Sequence, residues 1–327
     1  MTNEETVVPP PVFQDRKTLL VVFGILHIFL GAVCALLAPI ALVGLIISKY
    51  TPTNTAAPMS ITMMLTSVFF YILLAVWFIW MGIGSIKARR WARALILVSS
   101  WLWLVIGIIM TVFMLFYLPN MFGNLPQTNQ MPQAFFIVMK IFMALLIFFL
   151  YIVIPGTFVL VYRGENIKRT CEFWDRQVRW TDKCPLPVLA LVLFFGMGAF
   201  SFLLMLFYKG LFPFFGTLVQ GLPGIAIVLA LAILFGYISR GMYRLDIKAW
   251  WIALIAIVLI GASAVVTFLQ ISVWDLYAAM GYSVQQIELI KQYGFPNNMF
   301  KIFSGLWAIP IAAYLLFTRK YFVKTKP

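Results

Sequence analysis

The sequence predicts an all-α, polytopic integral membrane protein, with eight transmembrane helices forming a tandem, parallel repeat of two four-helix units. Three observations predict it. Hydrophobic residues make up 63% of the 327 and charged residues only 10%, against about 25% charged in soluble domains. Apolar stretches recur at about 19–47, 61–86, 94–118, 134–162, 186–208, 222–239, 249–272 and 300–318, each long enough to cross a hydrocarbon core of about 30 Å as a helix. The chain also repeats itself at a separation of roughly 159–161 residues. Trp91-Ala92-Arg93-Ala94-Leu95-Ile96 returns as Trp250-Trp251-Ile252-Ala253-Leu254-Ile255, and Lys140-Ile141-Phe142 returns as Lys301-Ile302-Phe303. Four spans per unit place the two units in the same orientation. Two unrelated four-span units of equal length would also align their interfacial charges, and it is the Trp and Lys-Ile-Phe matches that favour duplication.

The organisation follows in chain order. Residues 1–18, with Pro9-Pro10-Pro11, read as a disordered polar tail. The first repeat covers 19–162, a linker 163–185, the second repeat 186–318, and a basic tail 319–327. The first span exceeds a signal-peptide core and lacks a small-x-small cleavage site, so it is expected to be retained. Pro39 and Pro310 are expected to kink the first and eighth spans. The stretch 210–224, broken by Pro213, Gly216, Gly221 and Pro223, reads as an interfacial or shallow re-entrant turn. Ser283 with Gln286 forms a capping-box signal for a short helix before Gly294, either capping the bundle mouth or docking a partner.

The net charge of +14 invites a nucleic-acid reading, which its placement excludes. Basic residues gather at both termini and in alternate loops, at Arg16–Lys17, Lys87–Arg93, 163–183, Arg240–Lys248 and 319–326. Such asymmetry places both termini in the cytoplasm, with the protein in the inner membrane. The expected partners are membrane lipids and other membrane-protein subunits.

Catalytic chemistry is scarce. All ten acidic residues map to loops or span edges, and no metalloprotease, paired-aspartate or nucleophile-elbow motif is present. No enzyme is predicted, and a proton relay through the spans is disfavoured. His27, the single histidine, lies near the middle of the first span. A neutral imidazole hydrogen-bonded between helices is favoured over a haem or metal ligand, since no second histidine exists to complete such a site. Cys34 reads as packing. The linker concentrates polar chemistry in Cys171, Trp174, Asp175, Trp180, Asp182 and Cys184. Its spacing fits no zinc pattern, and neither metal nor cofactor is predicted. Phe173, Trp174, Val178 and Trp180 are expected at headgroup level, with Arg169, Arg176 and Arg179 facing phosphates.

Lys140 and Lys301 are candidate ligand-binding residues together with His27. Either the two lysines snorkel to the headgroups, or they turn inward and present two fixed charges to an anionic lipid or solute. The leading functional reading is a non-enzymatic accessory or scaffold subunit binding lipid or other membrane proteins. The alternative is a permease or exporter for a small or lipid-like anion, with its path at the repeat interface, and a haem protein or other membrane enzyme stands third.

Overall fold

The computed structural model describes residues 13–50, 61–123, 133–292, 301 and 304–323. It is an all-α membrane protein. Among the described residues seven helical segments are long and apolar enough to cross a membrane: Lys17–Gly44, Leu65–Ile86, Arg90–Val112, Ala134–Tyr162, Leu186–Tyr208, Leu222–Tyr243 and Ile247–Gln270. The eighth expected span falls partly outside the described residues.

α1 (Lys17–Tyr50) and α2 (Ile61–Ile86) form the most intimate helix pair. Small residues recur at seven-residue spacing on both, Gly24, Gly31 and Ala38 on α1 and Ala75 and Gly82 on α2. A methyl added at Gly24 would lie 2.8 Å from the Gly82 carbonyl, one at Gly82 would lie 2.7 Å from that of Gly24, and one at Gly31 would lie 3.0 Å from that of Ala75. Lipid supplies no hydrophobic drive between helices, so close backbone contact of this kind is what holds them. α1 runs through Pro39 as one helix.

α2 reaches α3 (Arg90–Gly123) through a turn that recurs between α8 (Leu222–Tyr243) and α9 (Ile247–Gln270). In the first turn Arg89 N–H bonds the Gly84 carbonyl and Ala88 N–H that of Ser85; in the second, Asp246 bonds Gly241 and Leu245 bonds Met242. Both are Schellman endings, and both place a non-glycine residue in the left-handed region, Ala88 at φ 48° and Leu245 at φ 56°. The glycine of each turn abuts the following helix, Gly84 at Ala92 and Gly241 at Ala249. Corresponding residues of the two turns are therefore 157 apart, not 159, and Arg93 rather than Trp91 matches Trp250.

The fourth span comprises α4 (Gln133–Phe148), a π-helical turn (Phe149–Val153) and α5 (Ile154–Tyr162). Pro155 explains the wide turn. It has no N–H for the Tyr151 carbonyl and would collide with it in a regular helix; instead Ile154 N–H bonds Phe149 five residues back. The Tyr151 carbonyl lies against Gly107 of α3, where any side chain would meet it.

After α7 (Leu186–Leu204), the stretch expected as a re-entrant turn is a β-hairpin, β1 (Phe212–Phe214) and β2 (Thr217–Val219), joined by Phe215-Gly216. Both turn residues have positive φ, at 36° and 99°, as a tight hairpin of this hand requires. α9 satisfies the tip: Ser263 Oγ accepts from Phe215 N–H and donates to the Pro213 carbonyl, and Thr267 Oγ1 accepts from Gly216 N–H. α10 (Val273–Ala279) and α11 (Val284–Gln292) follow, with the expected Ser283–Gln286 capping box; Gly294 lies outside the described residues.

The last helix has a local turn before its proline. Residues 304–306 are helical, and α12 (Ala308–Thr318) follows Trp307, which keeps right-handed helical dihedrals (φ −61°, ψ −26°), so the backbone path is continuous where Pro310, three residues on, supplies no N–H. The Trp307 indole donates to the Ser304 carbonyl. A final short helix, α13 (Lys320–Val323), ends the described chain.

Two cores result. One gathers Leu20, Met81, Leu95, Ile96, Phe158 and Tyr162; the other gathers Val188, Phe195, Phe235, Ile238, Met242 and Trp250. α3 serves both, giving Leu95 and Ile96 to the first, and Ala94 and Val98 to the second.

Replacing Gly24 with leucine should cost about 1–3 kcal/mol or more through overpacking, whereas Val76→Ala, at a site 62% exposed, should shift stability by no more than about 0.5 kcal/mol. Thermal melts of the detergent-solubilised protein check both. Equal melting temperatures for the two variants would refute the seam.

Candidate functional site

Polar chemistry concentrates in the linker, and the linker is folded. α6 (Glu165–Trp174) begins after Gly164, with Glu165 in its first turn, where the helix dipole favours a carboxylate. Glu165 also reaches Arg169 at 3.4 Å and Lys168 at 3.9 Å. Ile167, Thr170 and Cys171, at i, i+3 and i+4, form its buried stripe. Thr170 Oγ1 accepts from Arg16 N–H at 3.0 Å, the Trp174 indole donates to Asp15 at 3.4 Å, and Lys17 Nζ stands 3.3 Å over the Trp174 ring. The expected tail boundary at residue 18 therefore moves: Phe13–Arg16 dock on α6 and the helix starts at Lys17.

Asp175 is the centre of this fold, with its side chain 1% exposed. Arg179 grips it in bidentate fashion, with Nη2 at 2.8 Å and Nε at 3.0 Å; Arg89 Nη1 approaches to 3.4 Å, and Arg90 donates its backbone N–H at 3.2 Å. The α2–α3 turn supplies both of these last contacts, since a Schellman ending directs Arg89 and Arg90 outward from the helix end. Burial works against the charged carboxyl, but these donors outweigh it and hold Asp175 below the usual carboxylate range. Asp182 accepts from Arg179 N–H at 2.9 Å and faces Arg90 at 3.3 Å, while Glu172 faces Arg90 at 3.5 Å. Arg179, expected to face phosphates, is thus turned inward. Phe173, Trp174, Val178 and Trp180 are exposed, as a headgroup-level position requires. The Trp180 carbonyl accepts from Tyr243 Oη at 3.0 Å, so the linker touches both halves.

Cys171 and Cys184 are buried and both line a cavity of about 160 Å³ beside Arg93 and Thr181. Burial pushes the Cys171 thiol up to about 12 and the Cys184 thiol up to about 11. A second, wider concavity of about 540 Å³ lies between Arg89, Arg176 and Arg179 and the rings of Phe173 and Trp174. Sequence reasoning found Asp175, Asp182 and the cysteines, but missed Thr181 and read Arg89, Arg90 and Arg93 as orientation signals alone. Four of the ten acids fall in this loop, and it is Asp175 among them that Arg179, Arg89 and Arg90 meet.

The other candidates lie elsewhere. His27 is buried, with Nδ1 donating to the Phe23 carbonyl of its own helix at 3.1 Å and its ring 4.2 Å from that of Phe158. Its hydrogen bond is within α1 rather than between helices. Beneath it, Tyr162 Oη donates to Ser85 Oγ, which donates to the Leu20 carbonyl. Lys140 is half-buried on α4, which packs on α3, and Lys301 is half-buried and precedes α12, which packs on α9 and α7. The two lysines therefore belong to different helix pairs.

Comparison with protein-family models, with curated proteins and with solved structures finds no match. The site is described by its own chemistry, which has two consequences. Asp175 has a lowered folded-state pKa, so its contribution is present above the unfolded value of about 3.9 and is lost as pH falls through the folded value. Hydrogen exchange of α6 should be unchanged from pH 7 to pH 5 after correction for intrinsic rates, and faster only below about pH 4. Asp175→Asn should speed it already at pH 7; a flat response in the variant would disprove the hub. Cys171 and Cys184 should resist iodoacetamide at pH 8, where on the order of 1 in 10⁴ and 1 in 10³ of them are thiolate. Mass spectrometry should find both alkylated only after unfolding.

Proposed function

We propose that this chain is a non-enzymatic accessory or scaffold protein of the inner membrane that binds lipid or other membrane-protein subunits. Its architecture would be a duplicated four-helix unit with eight spans and both termini in the cytoplasm. The observation that carries the reading is lateral. The span Ala134–Tyr162 buries none of its most apolar window inside the chain, against 44% for Ile247–Gln270. Val138, Phe142 and Leu145 are each more than 60% exposed, leaving an uncovered side on which lipid or another chain's helices would pack. Duplication draws support from the matched Schellman turns, and orientation from the basic residues around the linker.

The permease reading draws on the hairpin, because transporter sites use discontinuous helices. Here Ser263 and Thr267 engage the backbone groups of its tip, so those groups are not left to coordinate an ion. That weighs against transport.

The test is a photo-crosslinker at Val138 in native membranes, with labelling of cysteines at Thr128 and at Val178, which is 66% exposed in the linker, for topology. Crosslinks to one recurrent, stoichiometric subunit or to phospholipid, with impermeant labelling at 128 and not at 178, are the expected results. Solute flux through proteoliposomes of the purified protein, or the inverse labelling, would overturn the reading.

A further inference from the structure

The linker cavity contains two polar groups with no partner. Arg93 Nε and Thr181 Oγ1 are buried without a hydrogen bond, and Thr181 is only 3% exposed. Both residues line the same cavity of about 160 Å³, which corresponds to roughly five water volumes. An unmade buried hydrogen bond costs about 1–3 kcal/mol, so two beside one cavity call for acceptor or donor atoms in it, from water or from a ligand.

Cationic and anionic groups both surround the cavity, and they differ in which are paired. Arg90, Arg93 and Lys168 line it opposite Glu172 and Asp182, with Glu165 behind Lys168. Arg90 is committed to both carboxylates, at 3.5 and 3.3 Å. Lys168 is held only by exposed Glu165, at 3.9 Å, a pair of little strength. Among the described residues no ion pair or side-chain hydrogen bond engages Arg93. The thiols of Cys171 and Cys184 in the wall are uncharged donors at neutral pH.

The matched turns sharpen the point. Arg93 corresponds to Trp250, which is fully buried and donates its indole N–H to the Leu315 carbonyl at 2.9 Å. Where the second half seals the position with a satisfied aromatic ring, the first half presents a guanidinium to a cavity. Guanidinium, ammonium and hydroxyl together match an oxyanion with several acceptor oxygens.

We propose that this cavity binds a phosphate group carrying about one negative charge, with Arg93 and Lys168 supplying the charge and Thr181 a hydroxyl hydrogen bond. The phosphate would come from a phospholipid headgroup or from free phosphate. The site is independent of any partner on α4, so either idea can fail without the other.

The experiment uses the full chain. In detergent, melting temperature is followed against inorganic phosphate at constant ionic strength; in nanodiscs of phosphatidylcholine with or without phosphatidylglycerol, retained lipid is counted by native mass spectrometry. Saturable stabilisation by inorganic phosphate assigns a free anion; one retained phosphatidylglycerol with no phosphate response assigns a headgroup. In either case Arg93→Gln should weaken binding roughly ten- to hundredfold, Arg93→Lys should restore part of it, and Arg176→Gln, in the neighbouring concavity, should leave it unchanged. If Arg93→Gln misfolds, Thr181→Val decides, because it keeps the side-chain volume and removes only the hydroxyl. Wild-type protein that binds neither probe, or Thr181→Val with undiminished affinity, overturns the proposal.

Discussion

The rest of the structure depends on one constraint: a backbone N–H or C=O that enters hydrocarbon must find its partner within the protein. Continuous helices meet it trivially, and most of this chain is such helices. The departures show how strict it is. The hairpin 212–219 pairs its own strands and takes Ser263 and Thr267 from α9 at its tip. At the turn before α12 the Trp307 indole donates to the Ser304 carbonyl. At the end of that helix the Leu315 carbonyl accepts from both Thr318 and Trp250. Each irregularity is stapled by a hydroxyl or an indole placed within reach of it.

Once the backbone is satisfied, what remains is how closely helices can approach. Polar groups cannot hold α1 to α2 along most of their length, so small residues at seven-residue spacing do it by backbone contact. The second half answers the same problem differently. Gly198 of α7 receives the Phe235 ring of α8, and Ser239 donates to the Val192 carbonyl. If the halves share an ancestor, their helix turns have kept one geometry while their packing seams have diverged. That order is physically sensible, since a turn is fixed by local hydrogen bonds whereas a seam has several solutions of similar energy.

Spans and class were legible in the sequence because hydrocarbon thickness imposes length and composition directly. The hairpin was legible as a disruption, from Pro213, Gly216, Gly221 and Pro223, but not as strands. Two three-residue strands carry no readable period, and their stability comes from α9, more than 40 residues later. The Trp91–Trp250 match suggests a spacing of 159 residues, whereas the two like turns, set by the Gly84 and Gly241 notches, lie 157 apart. The linker was read as an interfacial loop because its residues are polar and aromatic. Its fold depends on Arg89 and Arg90, some 85 residues earlier in the chain, and no local signal reveals such a pairing.

The linker then has a clear physical role. A carboxylate as buried as Asp175 gains little net stability from its arginines, since desolvation offsets much of the attraction. What it gains is geometry: its donors come from the α2–α3 turn and from Arg179, so the carboxylate is fully met only when the turn, α6 and Arg179 are brought together. The first half is anchored to this arrangement through Arg89 and Arg90, and the second reaches it through Tyr243 and through α7, which starts at Leu186, two residues after Cys184. With α3 lending side chains to both cores, movement of one half against the other must disturb the Asp175 cluster. Occupancy of the neighbouring Arg93 cavity would therefore be felt where the two halves meet, which makes the linker the place where a bound anion would bear on the packing of the whole bundle.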